Sequence, residues 1–145
     1  WKYIDNPVYQ RLKNLMQLGS LYSVFPGATH TRFSHSLGVG FIVEVNEVSL
    51  KDKDRETSGF TQNRFEYTVT EQDVRNVTMA GLMHDLGHGP FSHMFDSGVI
   101  PTLLLMKGRT TADIDNWTHE RASCILFDHM IDKFNFPIED DELDR

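Results

Sequence analysis

Apolar residues recur at helical spacing in four stretches of this chain, and polar strings separate them. Asn6-Pro7 reads as a helix N-cap followed by proline at the first helical position. Leu12, Leu15, Met16 and Gly19 supply an apolar stripe and a stop, so a helix is predicted over roughly Pro7 to Leu18. Leu21 to Phe25 alternates weakly and ends at Pro26-Gly27, which predicts a short extended piece and a turn. A second helix is predicted from about Phe33 to Leu50, with Leu37, Phe41, Val45 and Val48 on one face. Gly38 and Gly40 inside it lower its propensity and imply close packing against a neighbour. Thr70-Glu71-Gln72-Asp73 resembles a capping box with aspartate in the glutamate position. Val74, Val77, Met79, Ala80 and Met83 carry the third helix, which ends near His84-Asp85-Leu86-Gly87. A last helix is expected from Thr118 to Phe134, with Ala122, Ile125, Leu126 and Met130 inward and Pro137 ending it. The charged and polar strings Lys51–Arg64 and Thr102–Asn116 read as loops, the first solvated. The pattern is that of an all-α domain with two polar loops.

Composition narrows the class. A length of 145 residues suits one domain, spanning 1–145, with a core of its own. A net charge of -7 argues against a general polyanion-binding surface, though it leaves room for a local basic pocket. Cys124 is the only cysteine, so no internal disulfide exists, which fits a reducing intracellular compartment. No apolar run reaches membrane-spanning length and no signal-like start is visible. The chain opens on Trp1 and stops in the charged string Glu139–Arg145, as a segment of a longer protein would.

The densest chemistry lies in AGLMHDLGHGPFSHMFD, Ala80 to Asp96, which holds three histidines and two aspartates. The adjacent imidazole and carboxylate of His84-Asp85 suit a divalent metal, which takes neutral nitrogen and anionic oxygen together. Alone, the pair reads as a polar helix end in which Asp85 orients a histidine. Neighbours on an ideal helix point about 100° apart, so both reach one ion only if the helix terminates there, as Gly87 suggests. Arg32 and His35 lie three apart at the start of the second helix and share a face. His35 would complete a three-ligand set, with Arg32 gripping an anionic oxygen; taken alone, they read equally as a surface arginine and a partly buried histidine. The donor mix suits zinc, iron or manganese without choosing among them. His88, His93 and His119 are candidate acid/base or phosphate-contacting groups, and Asp96 could orient His93. Singly, each reads at least as well as a hydrogen-bonded structural histidine. His30 and His129 have no neighbours that call for chemistry. No phosphate-binding glycine loop, CxxC, HExxH or GxSxG occurs, which removes zinc-finger, protease and serine-hydrolase readings.

Three blocks together carry a resemblance: FPGATHTRFSHSLGVG (Phe25 to Gly40), the Ala80–Asp96 string, and WTHE (Trp117 to Glu120). They resemble the HD-domain phosphohydrolases, most closely the deoxynucleoside triphosphate triphosphohydrolases that pair a SAM module with the HD domain. The likeness runs from about Asp5 to Asp132. It implies an all-α HD-domain fold, of which this is the N-terminal part. It also implies that His35, His84 and Asp85 are three of four metal ligands, the fourth being an aspartate on a later helix that nothing here matches. Arg32, His88 and His93 match residues around the substrate phosphates. Asp96 and His119 match the catalytic histidine-aspartate network, and Gln17 and Leu18 match contacts to the deoxyribose. Asp5, Gln10 and Lys13 fall where a guanine nucleotide effector binds, and Val24 and Phe25 near a second effector site. Lys13 departs from the family's arginine, and lysine cannot make the same bidentate contact. Ser20 replaces a glycine, Ser34 replaces an acidic residue, and the Lys51–Arg64 loop is longer than the family's.

The implied activity is hydrolysis of dNTPs, dGTP among them, to deoxynucleoside and inorganic triphosphate, with a divalent ion (zinc, iron, manganese or magnesium). The implied assembly is a homo-oligomer, a tetramer bridged by GTP and dNTP effectors, in the nucleus or cytoplasm. Two alternatives stand beside it: an HD enzyme for other nucleotides, and a non-catalytic nucleotide- or nucleic-acid-binding module, which the acidic charge disfavours.

Overall fold

The computed structural model describes residues 2–57, 69–110 and 117–136, and of 47–57 only the helical backbone. Five α-helices lie among the described residues: α1 (Pro7–Gln10), α2 (Arg32–Thr57), α3 (Glu71–Met83), α4 (Ile100–Met106) and α5 (His119–Phe134). Among the described residues there is no strand, so the all-α expectation holds; one isolated antiparallel bridge joins Met16 to Thr31. The chain divides into two compact units, one of 1–36 and 83–145, the other of 37–82.

The first unit contains the core and every candidate site residue. Tyr9, Leu12, Ala28, Met83, Leu86, Ala122 and Met130 are its buried apolar members among the described residues, each large side chain contributing about 1.5–3 kcal/mol by burial. Asn6 caps α1 as expected, its Oδ1 accepting from the amides of Val8 and Tyr9 at 3.0 and 3.1 Å. The helix is far shorter than the predicted Pro7–Leu18. It tightens into a 3₁₀ turn at Arg11–Asn14, and Leu15 is extended. The reason is tertiary pairing: Arg32 donates its backbone N–H to the Leu15 carbonyl at 2.8 Å, and Gln17 to that of His30 at 3.0 Å. Leu21–Ser23 is a 3₁₀ turn, not the extended piece its alternation suggested. Thr102–Asn116 is also corrected in its first part, since helix α4 includes Thr102 through Met106. Pro101 in its first turn and the following leucines are good helix material. Residues 111–116 and Pro137 lie outside the described residues. The α5 helix begins one residue after Thr118, whose Oγ1 accepts from the Arg121 amide at 3.2 Å, and it ends on left-handed Asn135 (φ 48°). Met130 and Ala122 point inward as expected, but Ile125 is 59% exposed.

The second unit is built from the body of α2 and α3. The capping box forms reciprocally: the Thr70 amide donates to Asp73 Oδ2 at 2.9 Å and the Asp73 amide to Thr70 Oγ1 at 3.1 Å. Of the two α2 glycines, Gly40 alone is closely packed; a Cβ there would sit 2.6 Å from Leu82 Cδ2, while at Gly38 nothing lies within 4 Å. Gly81 is the reciprocal small residue, facing Val39 and Val43. The predicted apolar face is not a buried one: Phe41 is 66% and Val45 49% exposed, and the Val48 side chain lies outside the described residues. The predicted loop from Lys51 is helical to Thr57; lysine, arginine and glutamate are strong helix formers, and charge alone does not end a helix. Residues 58–64 lie outside the described residues.

Candidate metal centre and histidine network

Two clusters of side chains form in the first unit. The first draws on the opening turn of α2 and the turn that follows α3. Thr31 precedes α2 and accepts from the Ser34 amide on Oγ1 at 3.4 Å, which sets the first turn and places Arg32 and His35 on one side. Helix α3 stops at Met83, so His84 and Asp85 escape the 100° separation of a continuing helix. His84 Nε2 lies 3.3 Å from His35 Nε2. Asp85 approaches His35 Nε2 with Oδ2 at 3.5 Å and His84 Nε2 with Oδ1 at 3.4 Å. The imidazoles are 35% and 39% exposed and the carboxylate only 6%. Donor atoms on a tetrahedral ion with bonds of about 2.1 Å are themselves about 3.4 Å apart, so this triangle fits one divalent cation. Burial outweighs the pull of Asp85 and, with the neighbouring His84, lowers the His35 pKa below its ordinary value. His35 is therefore neutral at pH 7, as a ligand must be. Burial opposes the charged Asp85, but Arg32 foremost, then His84 and His88, hold its carboxyl below the usual range.

Arg32 is itself 1% exposed. Its Nη1 donates to Asp85 Oδ2 at 2.5 Å and its Nη2 to Ser92 Oγ at 2.7 Å. The guanidinium thus orders the carboxylate and anchors the loop after Pro90.

The second cluster joins His88, His93, Asp96 and His119. His88 is 1% exposed and stacks on His119, with ring centroids 3.8 Å apart and planes at 20°. His93 meets both rings edge-on, at 5.1 and 5.3 Å. The carboxylate partner differs from expectation: Asp96 Oδ2 accepts from His119 Nδ1 at 2.9 Å and lies 3.7 Å from His88 Nδ1. It orients His119, not His93. Asp96 sits on a π-helical turn, Phe95–Val99, a geometry that re-aims side chains at functional sites. Phe91 and Ser92 before it are left-handed, at φ 68° and 58°, a costly conformation for phenylalanine. His88 also lies 3.5 Å from Asp85 Oδ1, which makes it the bridge between the clusters. Burial first, then the charges of Arg32 and His119, push its pKa down to about 4.

Four contributors escaped the sequence reading. Arg11 donates to the carbonyls of Leu86 and of His88, the latter at 3.0 Å. Glu120 Oε1 lies 3.2 Å from His119 Nε2. Ser92 and Ser123 support the clusters by hydrogen bonds. Serines and arginines are too common for spacing to mark them; only Glu120, one after His119, and Ser123, four after it, stand at helical spacing from a motif residue.

The remaining candidates lie outside both clusters. Gln17 is half-buried and Leu18 exposed. Gln10 Nε2 donates to the Ile4 carbonyl at 2.9 Å, Lys13 Nζ stands 4.8 Å over the Phe33 ring, and Asp5 is exposed. Val24 and Phe25 are 72% and 59% exposed.

A helical scaffold that brings one histidine against a His-Asp pair defines the HD phosphohydrolases, and the HD domain model matches residues 32–140. The chain belongs to that family. It is 45% identical over 130 residues to the deoxynucleoside triphosphate triphosphohydrolase SAMHD1 of Danio rerio, which covers 90% of this chain and 18% of that protein. The Homo sapiens SAMHD1 gives the same figures, and the Dictyostelium discoideum SAMHD1 homolog is 36% identical over 133 residues, 92% of this chain and 23% of the relative. The chain thus spans less than a quarter of the length of these relatives. No described helix is long and apolar enough to cross a membrane.

Proposed function

We propose that the protein carrying this chain hydrolyses deoxynucleoside triphosphates to a deoxynucleoside and inorganic triphosphate. The convergence of His35, His84 and Asp85 beside a second, carboxylate-linked histidine set is the observation that supports it most, together with the likeness to SAMHD1. His35, His84 and Asp85 would hold a divalent cation, with a further ligand from elsewhere in the protein. Bound there, the cation supplies Lewis-acid polarisation of a phosphoryl oxygen and acidifies water. Arg32 keeps Asp85 ionised and fixed, and His88, neutral at pH 7, offers the α-phosphate side an uncharged imidazole. His93, exposed and braced edge-on by two rings, donates a proton to the departing 5′-oxygen. Asp96 and Glu120 hold His119 by its two nitrogens, so the network beneath His93 stays in one orientation. Gln17 and Leu18 face the sugar, and Asp5, Gln10, Lys13, Val24 and Phe25 form effector contacts in a nucleotide-bridged oligomer, where Lys13 gives a single contact in place of a fork.

Incubating the intact protein with each dNTP and Mn²⁺ or Mg²⁺, with and without GTP, tests this. Triphosphate and deoxynucleoside are the expected products. Orthophosphate alone would reassign the site to another nucleotide substrate, and salt-dependent nucleic-acid binding without turnover would replace catalysis with binding.

A further inference from the structure

Ser123 on α5 is 5% exposed and touches the backbone of three residues at once. Its Oγ accepts from the Gly87 amide at 2.7 Å. Its hydroxyl lies 2.7 Å from the His84 carbonyl and 2.8 Å from the His119 carbonyl, which share the one available proton. A serine that merely back-bonds to the carbonyl four residues earlier is an ordinary helix feature. The other two bonds are not: they reach a turn 36 and 39 residues away in sequence. The approach is as close as backbones allow, since a Cβ on Gly87 would fall 2.2 Å from the His119 carbonyl oxygen and 2.4 Å from the Ser123 nitrogen. His84 belongs to the first cluster and His119 to the second, so a single hydroxyl pins both.

We infer that Ser123 is a positioning residue that keeps the His35–His84–Asp85 set in register with the His88–His93–Asp96–His119 set. The inference rests on reading the two sets as one hydrolytic site. Without the hydroxyl, the Gly87 amide and the His84 carbonyl lose their partner in a buried place, and the turn relaxes. His84 Nε2 moves with its backbone, and its spacing to His35 Nε2 and Asp85 opens. Misplacement by about 1 Å costs as much as 10²-fold in rate, and loss of a group supporting a metal ligand costs 10- to 100-fold in metal affinity.

The test compares Ser123→Ala and Ser123→Thr with the unsubstituted intact protein, by Co²⁺ titration followed through its visible absorption and by dNTP turnover. Ser123→Ala is expected to bind Co²⁺ about tenfold more weakly and to lower kcat by about tenfold or more with KM unchanged, and Ser123→Thr, which keeps the hydroxyl, to recover both. A purely structural serine would lower the melting temperature and leave Co²⁺ affinity and kcat where they were; that result overturns the inference. Amide exchange at Gly87 in the unsubstituted protein is a check that needs no variant: exchange at the rate of an exposed amide overturns the inference, because the bond it rests on would then be absent. An unsubstituted protein that binds Co²⁺ but turns over no dNTP rejects the proposed function alone, because the Co²⁺ comparison still judges Ser123.

Discussion

The two histidine clusters use the same residue types in opposite ways. In the first, the carboxylate is buried and committed to Arg32, while two imidazole nitrogens meet 3.3 Å apart at a half-open rim. In the second, a carboxylate accepts directly from an imidazole at 2.9 Å and the rings pack on one another. Two imidazole nitrogens so placed can share one proton, one ring donating to the other, or share one cation. In the second set His119 already donates to Asp96, while the buried His88 Nδ1 and Asp96 Oδ1 make no hydrogen bond. The difference separates a half-open set whose donor atoms suit one cation from a packed set in which a carboxylate fixes a ring; His88 reaches both carboxylates, yet burial and the charges of Arg32 and His119 keep it neutral.

The largest effect expected from breaking this contrast is at His84. His84→Ala removes one corner of the triangle, and its half-exposed ring leaves the core intact; turnover should fall by about 10³-fold or more, with Co²⁺ absorption lost and the melting temperature near that of the parent. Retained turnover would put the cation elsewhere. Next comes Gly87→Ala, where the new methyl meets backbone atoms that cannot move aside. A loss of about 3 kcal/mol or more in denaturant unfolding is expected, whereas Gly38→Ala, with open space around it, should cost nothing. Equal losses at the two positions would mean that α5 does not press on the turn. Asp96→Asn follows, with kcat down by about 10²-fold and Co²⁺ affinity of the first set unaltered. Parallel loss of Co²⁺ binding would show that the two sets are one ion site.

The smallest effect concerns the support of α2. Burial pushes the Tyr9 phenol up to about 12 from 10.0, the neighbouring Ser36 hydroxyl offsetting part of the rise. Tyr9 also packs edge-on against Phe33, with centroids 5.6 Å apart. Above its ordinary pKa the unfolded chain has released the phenol proton and the folded chain still holds it. The unfolded state then binds fewer protons, so stability is full below about pH 10 and falls as pH rises towards 12. The loss should be about 1.4 kcal/mol by about pH 11, read from denaturant midpoints, and absent in Tyr9→Phe. A parent and variant with identical alkaline profiles would remove Tyr9 from the account.

Much of the site was legible because its pieces are local in sequence. His84 and Asp85 are adjacent, Arg32 and His35 are one turn apart, and the three motif blocks hold all seven cluster residues, five of them in the glycine- and proline-marked string from Ala80 to Asp96. Pairings across the chain were not legible. Asp96 stands three after His93, which is the spacing of a helical partner, yet the chain there winds into a π turn and delivers the carboxylate to His119. Gly87 reads as a left-handed helix stop, but its role is to let α5 come against the turn.

What the residues determine by themselves is the local grammar: Asn6 at a helix start, the Thr70–Asp73 box, Thr118 before α5, and the short-range patterns that recruit imidazoles and carboxylates to the same turns. Each rests on interactions within one helical turn, and these form wherever that segment lies. Where helices end and which side chain serves which partner were decided by contacts between distant segments. The Leu15 carbonyl taken by Arg32 halts the first helix, and the Ser123 hydroxyl binds a turn far away in sequence. A hydrogen bond of that kind depends on where two backbones meet, and the order of residues along either one does not carry that distance.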